Sequence, residues 1–141
     1  MKRTANAVWK GTLKEGSGSL NAPGGALKNT EYSFGSRFAS GAGTNPEELI
    51  AAAHAGCFAM ALSATLGEAG FTPTSLDATA EVSIDNVPPK GWTVTASHLV
   101  LKATIPGIDA AKFNELAAKA KANCPISRLL NATVTLDAKL V

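Results

Sequence analysis

A chain of 141 residues, 45% of them hydrophobic and 17% charged, has the make-up of one soluble globular domain able to bury a sizeable core. A net charge of +2, with Lys and Arg scattered instead of gathered in a stripe, argues against a nucleic-acid surface. The opening MKRTANAVWKGTL has two basic residues but no apolar run behind them, so no export signal is expected. Two cysteines without such a signal point to a reducing, cytoplasmic compartment, where thiols serve packing or reactivity and not structural bridging.

The first third reads as strands broken by glycine-rich turns. Residues 5–13 form a plausible strand, residues 19–22 a second, and residues 31–38 a third that alternates clearly. In that third strand Tyr32, Phe34 and Phe38 share one face, which puts a lone arginine, Arg37, on the other.

Residues 45–70, NPEELIAAAHAGCFAMALSATLGEAG, carry the strongest helix signal. Asn45 suits the N-cap, Pro46 the first helical position, and Glu48 the third, where it closes a capping box. At the far end Gly70 suits the C-cap glycine, since Phe71-Thr72-Pro73 cannot continue a helix. The helix between is apolar on nearly every side, which predicts burial on every side. Its length raises a membrane span, but alanine contributes little to insertion and nothing else in the chain looks lipid-facing.

Beyond it, Leu76, Ala78, Ala80, Val82 and Ile84 alternate with polar residues as a half-buried strand. The turn at residues 86–91 leads to a hairpin partner over residues 92–105, whose alternation slips near Ser97 and His98 and predicts a β-bulge there. Asp109 can cap a second helix with Phe113, Leu116, Ala117 and Ala120 on one stripe, and Cys124 continues that stripe. Pro125 starts a short further turn through Leu130, and residues 132–141 alternate as a last strand. No internal repeat is visible. Three strands, a long helix, two strands, a helix and a strand make an α+β fold (β3-α-β2-α-β) with a largely antiparallel sheet.

Several residues in this frame can carry chemistry. Free cysteine packs well as a small hydrophobe, and that is one reading of Cys57 and Cys124. The other is a reactive pair: both lie on apolar helical stripes, and Cys124 precedes a proline at a helix start, where unpaired N–H groups favour a thiolate. Arg37 is either a solvated strand arginine or a stabiliser of an anion. Glu47, free of the cap, is either a surface acid at a helix start or part of a site. On a straight helix Glu47 and Cys57 lie roughly 15 Å apart, so they cannot touch within one helix. A two-fold axis with antiparallel central helices would set Glu47 of one chain near Cys57 of another. His54, Cys57, His98 and Cys124 make a conceivable zinc set, but Cys124 and His98 are each single where structural zinc draws close pairs. His54 as a general base has no visible nucleophilic serine or orienting acid beside it.

In GTNPEELIAAAHAGCFAMAL (residues 43–62), GEAGFTP (67–73), PGIDAAKF (106–113) and AKANCPIS (120–127) the chain resembles the OsmC/Ohr family, osmotically inducible protein C and the organic hydroperoxide resistance proteins. The wording GTNPEEL and GEAGFTP is closer to the OsmC branch. The resemblance implies a thiol-dependent peroxidase working as an intertwined homodimer, protective under oxidative and osmotic stress. It implies Cys57 as the peroxidatic cysteine and Cys124 as the resolving one, with Arg37 and Glu47 as the family's arginine and glutamate. An organic hydroperoxide is then the substrate and a lipoyl-type dithiol the reductant, with no bound cofactor or metal and no dinucleotide fingerprint. His54 and His98 carry no role in that pattern. A redox-sensing or stress-related binding protein, using the same cysteine pair as a switch without turnover, is the alternative.

Overall fold

The computed structural model describes all 141 residues, which fall into two compact units, Met1–Leu49 and Ile50–Val141. The chain is mixed α and β, with two small sheets and a long central helix.

In the first unit β1 (Asn6–Lys10), β2 (Ser17–Asn21) and β3 (Thr30–Ser33) form an antiparallel sheet in that order. Trp9 and Tyr32 flank Gly18 in the register, and their rings meet with centroids 5.3 Å apart. A Cβ on Gly18 would lie 2.3 Å from the Tyr32 ring, so only glycine lets the two aromatics close over that strand.

The expected third strand is cut short. At Phe34 the chain turns into a helical turn, α1 (Phe34–Phe38), so Arg37 sits on a helix and not on a strand face opposite the aromatics. The cause is local. The Ser36 N–H donates to Ser33 Oγ and the Ser33 N–H donates to Ser36 Oγ, a capping box that starts the helix. Phe34 and Phe38 match a period of two, but they are also four apart, and here their rings meet as helical neighbours at 5.0 Å.

The long helix α2 (Pro46–Glu68) begins in the first unit and runs on in the second. Asn45 caps it, accepting the Glu48 N–H at 2.8 Å. It ends in a Schellman motif: the Phe71 N–H bonds the Leu66 carbonyl, the Gly70 N–H bonds the Gly67 carbonyl, and Gly70 has φ +84°. Burial on every side is met on one stripe only within this chain, His54, Phe58, Leu62, Thr65 and Leu66. The opposite face, with Ala52, Ala53, Gly56, Ser63 and Ala64, is exposed, and Met60 on it is 77% exposed. By length and composition α2 could cross a membrane, but its Phe58-Leu62-Leu66 stripe is spent on the core.

In the second unit β4 (Ser75–Val87) and β5 (Gly91–Thr104) make the expected hairpin. β6 (Thr133–Leu140) adds beside β5 in parallel, because α3 (Ala110–Asn123) and α4 (Pro125–Leu129) carry the chain back before it starts. The expected bulge is present: the register shifts between Ser83 and Ile84 of β4, opposite Ala96 and Val94, so the extra residue is Thr95, two before Ser97. The bulge carries the inward face of β5 from Val94 to Ser97, and on through Leu99, Leu101 and Ala103. Asp109 caps α3 through the Lys112 N–H, and Phe113, Leu116, Ala117 and Ala120 are buried as the stripe predicts. The core of this unit forms where they meet Phe58, Leu62, Leu66 and the inward face of the sheet.

Candidate active site

In the first unit the capped turn α1 aims Arg37 at the first turn of α2. The Asn45 Nδ2 donates to the Ser36 carbonyl at 3.0 Å, and the Ser36 hydroxyl donates to the Thr44 carbonyl at 2.7 Å. These bonds hold the end of α1 against the start of α2. Arg37 then donates from Nε and Nη2 to the two carboxylate oxygens of Glu47, at 3.2 and 2.8 Å, a bidentate pair. Glu47 is buried, so its charge is matched by the guanidinium and not by water. The same guanidinium lies 5.2 Å from the centre of the Phe38 ring. Beside it opens a cleft of about 280 Å³ with Trp9, Tyr32, Phe34 and Phe38 in its walls. Such a cleft offers aromatic surface together with one fixed positive charge.

In the second unit Cys57 of α2 meets Cys124, 67 residues later in the chain, with Sγ atoms 3.0 Å apart. Both are free thiols, roughly 1 Å beyond bonding distance. Cys124 closes α3 and caps α4, ahead of Pro125 at the first helical position, as the proline implied. Their exposure differs: Cys57 is partly exposed and Cys124 is fully buried.

Their acidities differ in the opposite sense. Burial pushes the Cys57 thiol up, and the adjoining Cys124 sulfur pushes it further, against one backbone N–H from Ile126. Burial also raises Cys124, but the Cys57 thiol, the Ser127 N–H and hydroxyl, and the Ile126 N–H outweigh it and leave Cys124 lowered. Within this unit Cys124 is therefore the more acidic thiol. At Cys57 the Ile126 N–H alone does not offset burial and the neighbouring sulfur.

Sequence reading finds no role for His54 and no serine beside it, and the structure places two there. It is fully buried and joins Ser97 and Ser127 through its two ring nitrogens, at 2.7 and 2.8 Å. Burial lowers its pKa, which favours the neutral ring. Its place on the Phe58-Leu62 stripe was a signal available in the sequence, since a histidine on a core stripe must find partners. His98 is elsewhere, bonded to Thr135 and paired with Asp137 at 3.4 Å. No three His, Cys, Asp or Glu side chains gather as metal ligands.

Residues 39–139 match the family described as OsmC-like protein. The chain is 50% identical over 138 residues to Peroxiredoxin OsmC of Escherichia coli K12, covering 98% of this chain and 96% of that one. It is 37% identical over 102 residues to an organic hydroperoxide resistance protein of Xanthomonas axonopodis pv. citri, covering 70% and 68% of the two chains. The crystal structure of the organic hydroperoxide resistance protein OhrB of Bacillus subtilis superposes with a TM-score of 0.69 at 25% identity, over 98% of both chains.

Proposed function

This chain belongs to the OsmC-like family, and on that premise we propose that it is a thiol-dependent peroxidase reducing organic hydroperoxides to alcohols. The observation that carries the reading is the pair of free thiols 3.0 Å apart, one within reach of solvent and one not. The accessible thiol, Cys57, is the one a substrate can meet. Its thiolate attacks one peroxide oxygen, the alkoxide leaves and takes a proton, and Cys57 becomes a sulfenic acid. Cys124 condenses with it, forming the S–S bond and releasing water, and an external dithiol of lipoyl type reduces the disulfide.

The charge that Cys57 lacks in its own unit comes, in this proposal, from Arg37. Glu47 orients the guanidinium bidentately so that it favours the thiolate and the departing alkoxide. The aromatic cleft beside Arg37 favours a hydroperoxide with a hydrocarbon part over hydrogen peroxide.

The enzyme works as a homodimer in this proposal. Two observations support it: the apolar face of α2 that the chain leaves uncovered, and a first unit in which no large apolar side chain is buried. Antiparallel α2 helices across a two-fold would complete each site with Glu47 of the other chain. Reassembling Glu47→Ala with Cys57→Ser chains should partly restore activity, since one site of the heterodimer keeps both groups. A confirmed heterodimer without activity would mean that the site is built within one chain or that Glu47 is not part of it. The proposal sets the protein in the cytoplasm, where reductants return the pair to thiols.

The test is hydroperoxide consumption with a lipoyl dithiol, comparing wild type with Cys57→Ser and Cys124→Ser. Many equivalents consumed per wild-type chain, and none by Cys57→Ser, are expected. Consumption that stops at one equivalent would make the pair a redox switch and not an enzyme.

A further inference from the structure

Two pairs of side chains join α2 to α4, and only one of them takes part in the chemistry above. His54 and Cys57 lie three residues apart on α2 and so share a face, and Cys124 and Ser127 lie three apart where α4 begins. His54 Nε2 and Ser127 Oγ are 2.8 Å apart, and the two Sγ atoms are 3.0 Å apart. The pairs are two rungs between antiparallel segments, one helical turn from each other. His54 is fully buried, and its Nδ1 is bonded to the Ser97 hydroxyl of β5 at 2.7 Å. Burial favours the neutral ring, so one nitrogen donates and the other accepts, and a hydroxyl can answer either.

We propose that His54 is a positioning residue for the resolving step: its bond to Ser127 holds α4 on α2, so that Cys124 stays within reach of Cys57 while Cys57 is a sulfenic acid. The inference rests on the two-cysteine peroxidase reading and adds to it a residue pair for the second half-reaction. With five residues, α4 is too short to stand as a helix alone. Its backbone bonds are local, from the Arg128 N–H to the Cys124 carbonyl and from the Leu130 N–H to the Ile126 carbonyl, each at 3.1 Å. Arg128 ties it back to the end of α3, donating to the Ala122 carbonyl and to Asn123 Oδ1. Ile126 packs on the core, which draws the turn inward but sets no direction. Besides the sulfur pair, His54–Ser127 is the hydrogen bond that joins α4 to α2.

The bond matters between the two half-reactions. In the reduced protein the thiols hydrogen-bond one another and help to hold the helices together. Once Cys57 carries the sulfenic oxygen, that thiol pair no longer exists and the covalent bond has not yet formed. Over this interval His54–Ser127 is the rung that remains. In the step it serves, the Cys124 sulfur attacks the sulfenic sulfur of Cys57, the S–S bond forms and the S–O bond breaks. The Cys124 proton leaves with the hydroxyl as water. The Cys124 sulfur is oxidised from thiol, and the Cys57 sulfur is reduced from sulfenic acid, both to the disulfide level. From the observed separation the sulfurs close by roughly 1 Å to bond, and a loose α4 would widen that gap.

A hydrogen bond that only stabilised the fold would act equally on the dithiol and disulfide forms, so the reduction potential of the pair separates positioning from stability. Reduced protein is mixed with one equivalent of cumene hydroperoxide, then quenched over time with dimedone, which traps sulfenic acid, and with an alkylating reagent. Mass spectrometry counts the sulfenic acid on Cys57 and the Cys57–Cys124 disulfide. In Ser127→Ala and His54→Asn the sulfenic acid should form at the wild-type rate while disulfide formation slows about 10-fold, the upper end of what one neutral hydrogen bond supports. Equilibration with dithiothreitol should place their potential about 30 mV above wild type, the same tenfold loss of effective concentration. Ser127→Thr, which keeps the hydroxyl, should restore both, and the double variant should be no slower than either single one. A wild-type resolving rate or an unmoved potential in Ser127→Ala overturns the proposal. Equal slowing of both steps overturns it as well, and so does a Ser127→Thr variant as slow as Ser127→Ala. Should the variants not fold, amide exchange of the reduced wild type decides: the Arg128 and Leu130 N–H groups should be protected, and exchange at open-chain rates overturns the proposal. A wild type that forms neither sulfenic acid nor disulfide with hydroperoxide overturns the peroxidase reading itself, while the potential, which needs no peroxide, still decides the positioning.

Discussion

The second unit closes over Phe58, Leu62, Leu66, Leu99, Leu101, Phe113 and Leu116, whereas the first buries only Ser36, Thr44 and Glu47, all polar. One unit is ordered by removing apolar surface from water, and the other by hydrogen bonds, a capping box and one ion pair. Net hydrogen bonds contribute about 0.5–1.5 kcal/mol each, so they offset backbone ordering poorly without a core behind them. The proposed chemistry divides along the same line. Cys57 and Cys124 sit in the unit with the core, where their separation is set by packing, while Arg37 and Glu47 sit where charges can be held but no large apolar side chain is buried. A partner chain that covers the first unit is the economical way for such a segment to stay ordered, which is why the comparison bears on the proposed dimer.

The largest expected effect tests the chemical half of this division. Cys57→Ser should bring hydroperoxide consumption to background. Arg37→Ala should lower it by about 10²–10³-fold, the usual effect of deleting one preorganised donor in a charge-stabilising site. It should also raise the apparent Cys57 pKa, measured by alkylation rate against pH. Unchanged alkylation would show that the first unit lends no charge to the thiol.

Next comes stability. Phe113→Ala, in the core of the second unit, should cost about 3–5 kcal/mol in urea unfolding. Leu13→Ala, at an exposed position of the first, should stay within about 0.5 kcal/mol at low protein concentration. Comparable losses would erase the contrast. A midpoint that rises with protein concentration would sharpen it, because association stabilises by mass action.

Acid reaches the two units differently. The folded pKa of His54 lies below its ordinary 6.5, so below that pH the unfolded chain binds a proton that the folded chain refuses. The contribution of His54 is thus intact above pH 6.5 and is lost as pH falls toward the lower folded value, by at most about 1.4 kcal/mol per pH unit. Urea unfolding at a series of pH values should show this slope in the wild type. His54→Asn should flatten it, and a slope unchanged by that substitution would assign it to other groups.

The smallest effects compare the two ends of α2, one in each unit. Gly70→Ala puts a Cβ at φ +84° and should cost about 1–2 kcal/mol. Asn45→Ala removes the cap on the Glu48 N–H and should cost about 1 kcal/mol. If the first unit is held in place from outside the chain, the Asn45 loss should shrink further, and thermal melts of the two variants would rank them.

What the sequence determined by itself lies where the physics is local. The start of α2 at Asn45 and its end at Gly70, the stripe of α3 and the hairpin after Leu76 each depend on neighbours a few residues apart. The motifs around Cys57 and Cys124 suffice to suggest the family. The strand expected over residues 31–38 stops at Ser33 because an alternating pattern and an i, i+4 aromatic pair coincide at Phe34 and Phe38, and only the reciprocal serine bonds decide between them. What tertiary structure alone decided is which distant residues meet. Cys57 and Cys124 share a pattern with ordinary core cysteines until two helices set them 3.0 Å apart. His54 reads as an unpartnered histidine until a bulge at Thr95 turns Ser97 inward and α4 brings Ser127 to its other nitrogen. No spacing in the chain encodes those meetings, because they arise from the register of two strands and the packing of helices far apart in sequence.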